Sequence, residues 1–332
     1  MILTEPRMTI TEEKISGLRA LALSNAVLRL VVVPQLGGKI ISMCRIDSGN
    51  EWLLPPKNPE QPLRMPRYGD GFEQHWAYGF DECFPTVAAC LYNMDERVPL
   101  LIPDHGELWS SPWELSLPGD PSVLLAKGIA LPYLFTRSIT LHDSTARFDY
   151  TLENTGDSTF QYLWSAHPLL RVFEGDQILL PENVAEMRVE HSHGNRLGRS
   201  DGACSWPVAK TSTRTLVHLN TVHDRTSGSA EKLFTSRLTA GYCALRSSAR
   251  SEMLTFSFDA AEVPYLGLWT NEGGSPAESA EKDFTVALEP CLAPFDSLAD
   301  AIRSRVAPSI PPGETQRWHV EMTVSRLPES AA

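Results

Sequence analysis

The chain has 332 residues, 42% hydrophobic and 21% charged, which is enough apolar material for a large core beneath an ordinary polar surface. Its 29 Lys+Arg against 41 Asp+Glu leave a net charge of -12, and no basic patch interrupts it, which argues against nucleic-acid binding and against polyanionic substrates. No run of about 20 apolar residues offers a membrane span, so no membrane partner is expected.

The first segment, Met1 to Ser24, alternates polar and apolar residues without a long apolar run and reads as lacking a secretory leader. None of Cys44, Cys83, Cys90, Cys204, Cys243 and Cys291 forms a C-x-x-C pair, which predicts buried free thiols in a reducing cytoplasm. Leu28–Val33 is rich in β-branched residues, Pro34–Gly38 supplies a turn, and Lys39–Met43 resumes a strand. Leu53 to Gly79 holds five prolines and no clean period, so it predicts a long ordered loop.

Val123 to Val172 is the clearest β region. Thr136–Leu141 and Ala146–Leu152 alternate about a turn at Asp143-Ser144, and a second turn at Asn154–Asp157 leads into Phe160–Trp164, which predicts an antiparallel meander. Residues 190–232 read as polar and turn-rich, and Asn271 to Lys282 as a soft loop. Further strands are expected at Leu254–Phe258, Tyr265–Trp269, Phe284–Leu288 and Trp318–Val324, with a helix over Ser297–Val306 capped by Ser297. Many short strands, little helix and no βα alternation predict an all-β protein. The absence of a linker or short repeat predicts one domain over 1–332, a large antiparallel β-sandwich with its loops gathered over one face.

Four motifs carry groups capable of chemistry. Gly79–Thr86 sets Asp81 and Glu82 among aromatics, although a turn-bonded aspartate would read the same way. Asp104-His105-Gly106-Glu107-Leu108-Trp109, with Pro112-Trp113, packs a histidine, two carboxylates and two tryptophans into ten residues. Such a histidine titrates near neutrality, and tryptophan faces suit a sugar ring as well as a core. In Trp164-Ser165-Ala166-His167-Pro168, Pro168 favours an extended His167, and alternation puts Ser165 and His167 on one face, Trp164 and Ala166 on the other. Glu289 ends the apolar strand Thr285–Leu288 immediately before Pro290, either solvated at a strand end or buried with a purpose. His191-Ser192-His193 has metal-like spacing but reads as a solvated loop, and no nucleophile elbow, P-loop or dinucleotide fingerprint occurs. Cys83 has no basic neighbour in sequence to activate it as a nucleophile.

In this order, with Tyr265–Trp269 between the last two, the four motifs resemble the aldose 1-epimerase (galactose mutarotase-like) family over nearly the whole chain, from Pro34–Ile40 to the final strand. The resemblance implies a supersandwich with a monosaccharide site on its concave face and no metal or organic cofactor. It implies Glu289 as base, with His167 and His105 as acid and positioning partner in either order. It makes Asp81 a candidate for binding sugar hydroxyls and Trp109 or Trp269 for stacking on the ring. The implied activity is interconversion of the α and β anomers of a free aldose. The alternative is a non-catalytic carbohydrate-binding or sugar-sensing protein, for which a base opposite an acid is not needed. Well-studied galactose mutarotases carry an asparagine- and tyrosine-rich run after the second histidine and a later aspartate-histidine pair. Pro168-Leu169-Leu170 replaces the first here and nothing matches the second, which leaves the sugar open; no basic pocket for a phosphorylated sugar is evident, although Arg64 and Arg67 in the proline-rich loop could supply one.

Overall fold

A computed structural model describes residues 8–58, 60–75, 77–93, 99–117, 120–277 and 279–328. Two antiparallel sheets face each other. In the larger, the N-terminal strands Thr9–Ile15, Leu18–Ser24, Leu28–Val33 and Lys39–Arg45 follow one another as hairpins from one edge. They are continued by Phe80–Cys83, Ser165–Arg171, Phe284–Cys291, Tyr265–Glu272, Ser229–Thr235, Glu186–Ser192 and Ala203–Ser205 in that spatial order. The smaller sheet runs Gln177–Leu179, Tyr242–Ser247, Glu252–Phe258, Thr315–Arg326, Thr145–Asn154, Tyr133–His142, Asp120–Lys127 and Glu114–Leu117. The all-β sandwich expected from the strand pattern is the fold observed. No described helix is long and apolar enough to cross a membrane.

Alternation explains the packing. In Tyr133–His142 the odd residues Tyr133, Phe135, Ile139 and Leu141 enter the inter-sheet core, and Thr145–Asn154 does the same with Ala146, Phe148, Tyr150 and Leu152. From the larger sheet Phe80, Trp164, Ala166, Leu266, Leu268, Val286 and Leu288 meet them. One ion pair crosses this core: Arg137, at the one core-facing position of its strand that is not apolar, bonds fully buried Glu82 at 3.0 Å. Glu82 also accepts from Tyr150 Oη at 3.0 Å and Trp164 Nε1 at 2.9 Å, so the buried charge is fully hydrogen-bonded.

Two local expectations need correction. The predicted meander is only a hairpin, because the second neighbour of Thr145–Asn154 is the C-terminal strand Thr315–Arg326, not the segment after the turn. Phe160–Gln161 pairs with Ser309–Ile310, and the chain then crosses into the larger sheet at Ser165. Asn154 steers that departure by donating to Ser158 O and Ile310 O, both at 2.9 Å. Second, residues 190–232 are not all turns, since Ser229–Thr235 is a buried central strand. The helix spans Leu298–Arg303, shorter than expected, with Ser297 Oγ capping Asp300 N at 3.3 Å. The described part of 54–79 is a loop, as expected, with one short turn at Phe72–His75.

Candidate active site

The outer face of the larger sheet carries the polar side chains. Register places His191 beside Lys232, Lys232 beside Trp269, Trp269 beside Ala287, and Ala287 beside Leu169. One row along, Phe234, Gly267 and Glu289 are neighbours, and on the next strands Ser165 faces Cys83 while His167 faces Asp81. The period of two therefore delivers Cys83, His167, Glu289, Trp269 and Lys232 to the same face, as anticipated for His167 and Ser165. Gly267 has a definite use there: a Cβ would lie 3.1 Å from Glu289 Oε2 and 3.1 Å from Phe234, so the missing side chain makes room for the carboxylate.

His105 arrives from outside the sheet. Its backbone is left-handed, with φ 57°, followed by Gly106 at φ 74°. A non-glycine residue there stores local strain of about 1–3 kcal/mol, and the surroundings hold it in place. His105 N donates to Val87 O at 2.6 Å and Glu107 N to Phe84 O at 2.7 Å. A Cβ on Gly106 would lie 2.0 Å from Phe84 O, so the H-G pair is a tight seat against the strand end. Gly106→Ala is therefore expected to displace His105 and to lower the thermal midpoint together with any activity that needs His105. Paired melting and activity measurements check this, and an unchanged midpoint would contradict the seat.

Asp104 Oδ1 lies 2.9 Å from His105 Nδ1, and its other oxygen accepts from Phe72 N at 3.1 Å. The Phe72 ring stacks on His105 at 3.9 Å and meets His167 edge-on at 5.3 Å, while the two imidazoles are 5.1 Å apart. His105, His167, Lys232, Trp269 and Glu289 line one cleft of about 350 Å³, of a size with small-ligand pockets. Glu107 points the other way and accepts from Ile129 N, Ala130 N and Tyr133 Oη at 2.7–3.0 Å, which fixes a neighbouring turn.

Charge is distributed unevenly. Glu289 is fully buried, and burial raises its carboxyl against the pull of Lys232, whose ammonium bonds Oε2. Burial works to lower Lys232, but Asp296, 3.3 Å away, and Glu289 outweigh it and hold the group above its ordinary value. Lys232 thus stays charged and opposes the effect of burial on Glu289. For Asp104, burial is overcome by the bond and charge of His105, leaving it below the usual range. His167 is pushed well down, by burial first and then by the charges of His105, Lys232 and Lys39, and is neutral at neutral pH. A histidine depressed in the fold costs stability as pH falls below its unfolded value of about 6.5, where only the unfolded chain gains the proton. Wild type should therefore lose up to about 1.4 kcal/mol per pH unit more than His167→Gln between pH 6.5 and pH 5. Urea unfolding at several pH values measures the difference, and parallel curves would contradict it.

Not every expected site residue reaches the cleft. Asp81 is on the correct face but fully buried, with Oδ2 bonded to Lys39 and so covered from a ligand. Trp109 is also buried: it lies behind Phe72, edge-on at 5.2 Å, and its Nε1 donates to Asp104 O at 2.9 Å, so it supports the loop instead of forming a wall. Trp269 does line the cleft. His191, expected in a solvated loop, sits at the end of Glu186–Ser192 with its ring 6.4 Å from Trp269. Lys232 was missed because Ser229–Thr235 reads as polar. The available signal was a lysine directly before the apolar pair Leu233-Phe234.

No family model and no curated protein sequence matches the chain. Solved structures do. The chain superposes on Slr1438 from Synechocystis sp. with a TM-score of 0.66 at 16% identity, covering 98% of this chain and 99% of that one. A galactose mutarotase-like protein from Lactobacillus casei gives 0.66 at 14% identity, with 92% and 100% covered. The GalM/aldose epimerase homologue from C. elegans gives 0.59 at 13% identity, with 97% and 100% covered. The chain therefore has the galactose mutarotase-like fold.

Proposed function

We propose that the protein is an aldose 1-epimerase, interconverting the anomers of a free monosaccharide by acid–base ring opening and reclosure. One observation carries this reading. Glu289 Oε1 is buried without a hydrogen-bond partner and lies 3.8 Å from His167 Nε2. That gap is too wide for a direct bond, yet one hydroxyl oxygen between the two atoms reaches both at normal distance.

In the cycle proposed, the anomeric hydroxyl occupies the gap and gives its proton to Glu289. Neutral His167 donates a hydrogen bond to the same oxygen as it becomes a carbonyl. The C1–O5 bond breaks with its electrons going to O5, which takes a proton from His105, held in position by Asp104 Oδ1 at its Nδ1. Rotation about C1–C2 presents the other face, and reclosure returns both protons. Trp269 offers an apolar face to the ring.

NMR exchange spectroscopy of α and β anomers across neutral, acidic and phosphorylated aldoses tests the reading. At least one sugar should interconvert faster than in buffer; if none does, the proposal fails.

A further inference from the structure

Two histidines of the cleft share a property that sugar chemistry does not require. The thiol of Cys83 and a ring nitrogen from each of His105 and His167 all lie within 4.8 Å of one another. Cys83 is buried and free, ending the strand Phe80–Cys83, and is not used by the proton transfers above. We propose that Cys83, His105 and His167 form a binding site for a thiophilic divalent cation, best suited to Zn²⁺, whose occupancy shuts off the acid–base site.

Three further features fit a metal. Zinc–sulfur and zinc–nitrogen bonds of about 2.3 and 2.0 Å put tetrahedral ligand atoms about 3.5 Å apart, so an inward shift of roughly 1 Å closes the set. Asp104 Oδ1 on His105 Nδ1 fixes the tautomer that leaves Nε2 free to ligate, the carboxylate–histidine arrangement common around zinc. Glu289 Oε1, unpartnered beside His167, is an available fourth donor, and the cleft supplies the entry route. A thiolate with two imidazoles selects zinc-like ions over magnesium or calcium. Binding releases the thiol proton to solvent and forms one sulfur–metal and two nitrogen–metal bonds, with no redox step.

Co²⁺ is the spectroscopic probe. Titration of metal-free full-length protein should saturate at one equivalent with a thiolate-to-cobalt charge-transfer band, and Zn²⁺ should displace it. Cys83→Ser should lose the band, Asp104→Asn should weaken binding by roughly 10- to 100-fold, and His191→Ala should leave it unchanged. If Cys83→Ser does not fold, His105→Ala on the loop gives the same reading. Absence of a stoichiometric site, or a band that survives both substitutions, overturns the proposal. Zinc should also suppress anomer exchange. If metal-free protein shows no exchange but binds cobalt as stated, the epimerase reading alone falls; active protein without the cobalt band removes the metal site alone.

Discussion

Glu289→Gln should reduce anomer exchange by roughly 10²- to 10⁴-fold, the contribution of a positioned general base, while the protein remains folded. The amide keeps the shape and can still share a hydrogen bond with Lys232, but it cannot accept the anomeric proton. Folding survives because Lys232 retains Asp296 at 3.3 Å as a charged partner. NMR exchange with the best aldose, alongside a melting curve, separates the two effects. Activity equal to wild type in a well-folded variant would remove Glu289 from the chemistry and leave the 3.8 Å gap to His167 without a function.

Lys232→Met is expected to act on the same carboxylate from the other side. With the ammonium gone, burial raises Glu289 unopposed except by more distant charges, and its pKa should climb further above that of wild type. The acid limb of the rate profile then moves to higher pH, costing about tenfold in neutral-pH activity per unit, and base should restore it. Stability responds in the opposite sense. A carboxyl raised above its unfolded value stabilises the fold below that value and loses the contribution as pH rises through the folded one. The variant should therefore be most destabilised in alkali, by as much as about 3–5 kcal/mol where an unpaired buried charge is enforced. Rate profiles and urea midpoints across pH test both halves. A profile unmoved by the substitution would show that Lys232 does not set the charge of Glu289.

Much of the site was legible because the residues that converge lie in short motifs with locally readable geometry. Alternation around Pro168 gave the facing of His167, and an apolar strand ending in Glu289 raised the question of burial that the fold answers. What could not be read is non-local. Strand Thr315–Arg326 claims the flank of Thr145–Asn154 from far along the chain, with Thr145 paired to Thr323, and a local turn signal carries no information about that competitor. Lys232 escaped notice because its cost of burial is cancelled by Asp296 and Glu289, each distant in sequence. The burial of Asp81 is non-local for the same reason. It shares the outer face, but its cover comes from Lys39, 42 residues earlier on the neighbouring strand Lys39–Arg45.

The placement of Phe72 separates two tasks in the chain. The groups proposed to move protons reside on interior strands or on the clamped His105 seat, whereas the wall over His105 belongs to the proline-rich loop, tied down through Asp104. Interior strands are constrained by every neighbour they pair with, while a surface loop tolerates insertion and exchange. Under the proposed function, selectivity and catalysis would be encoded in separately replaceable stretches. Loop transplantation would then change the preferred sugar while leaving the proposed acid–base groups in place.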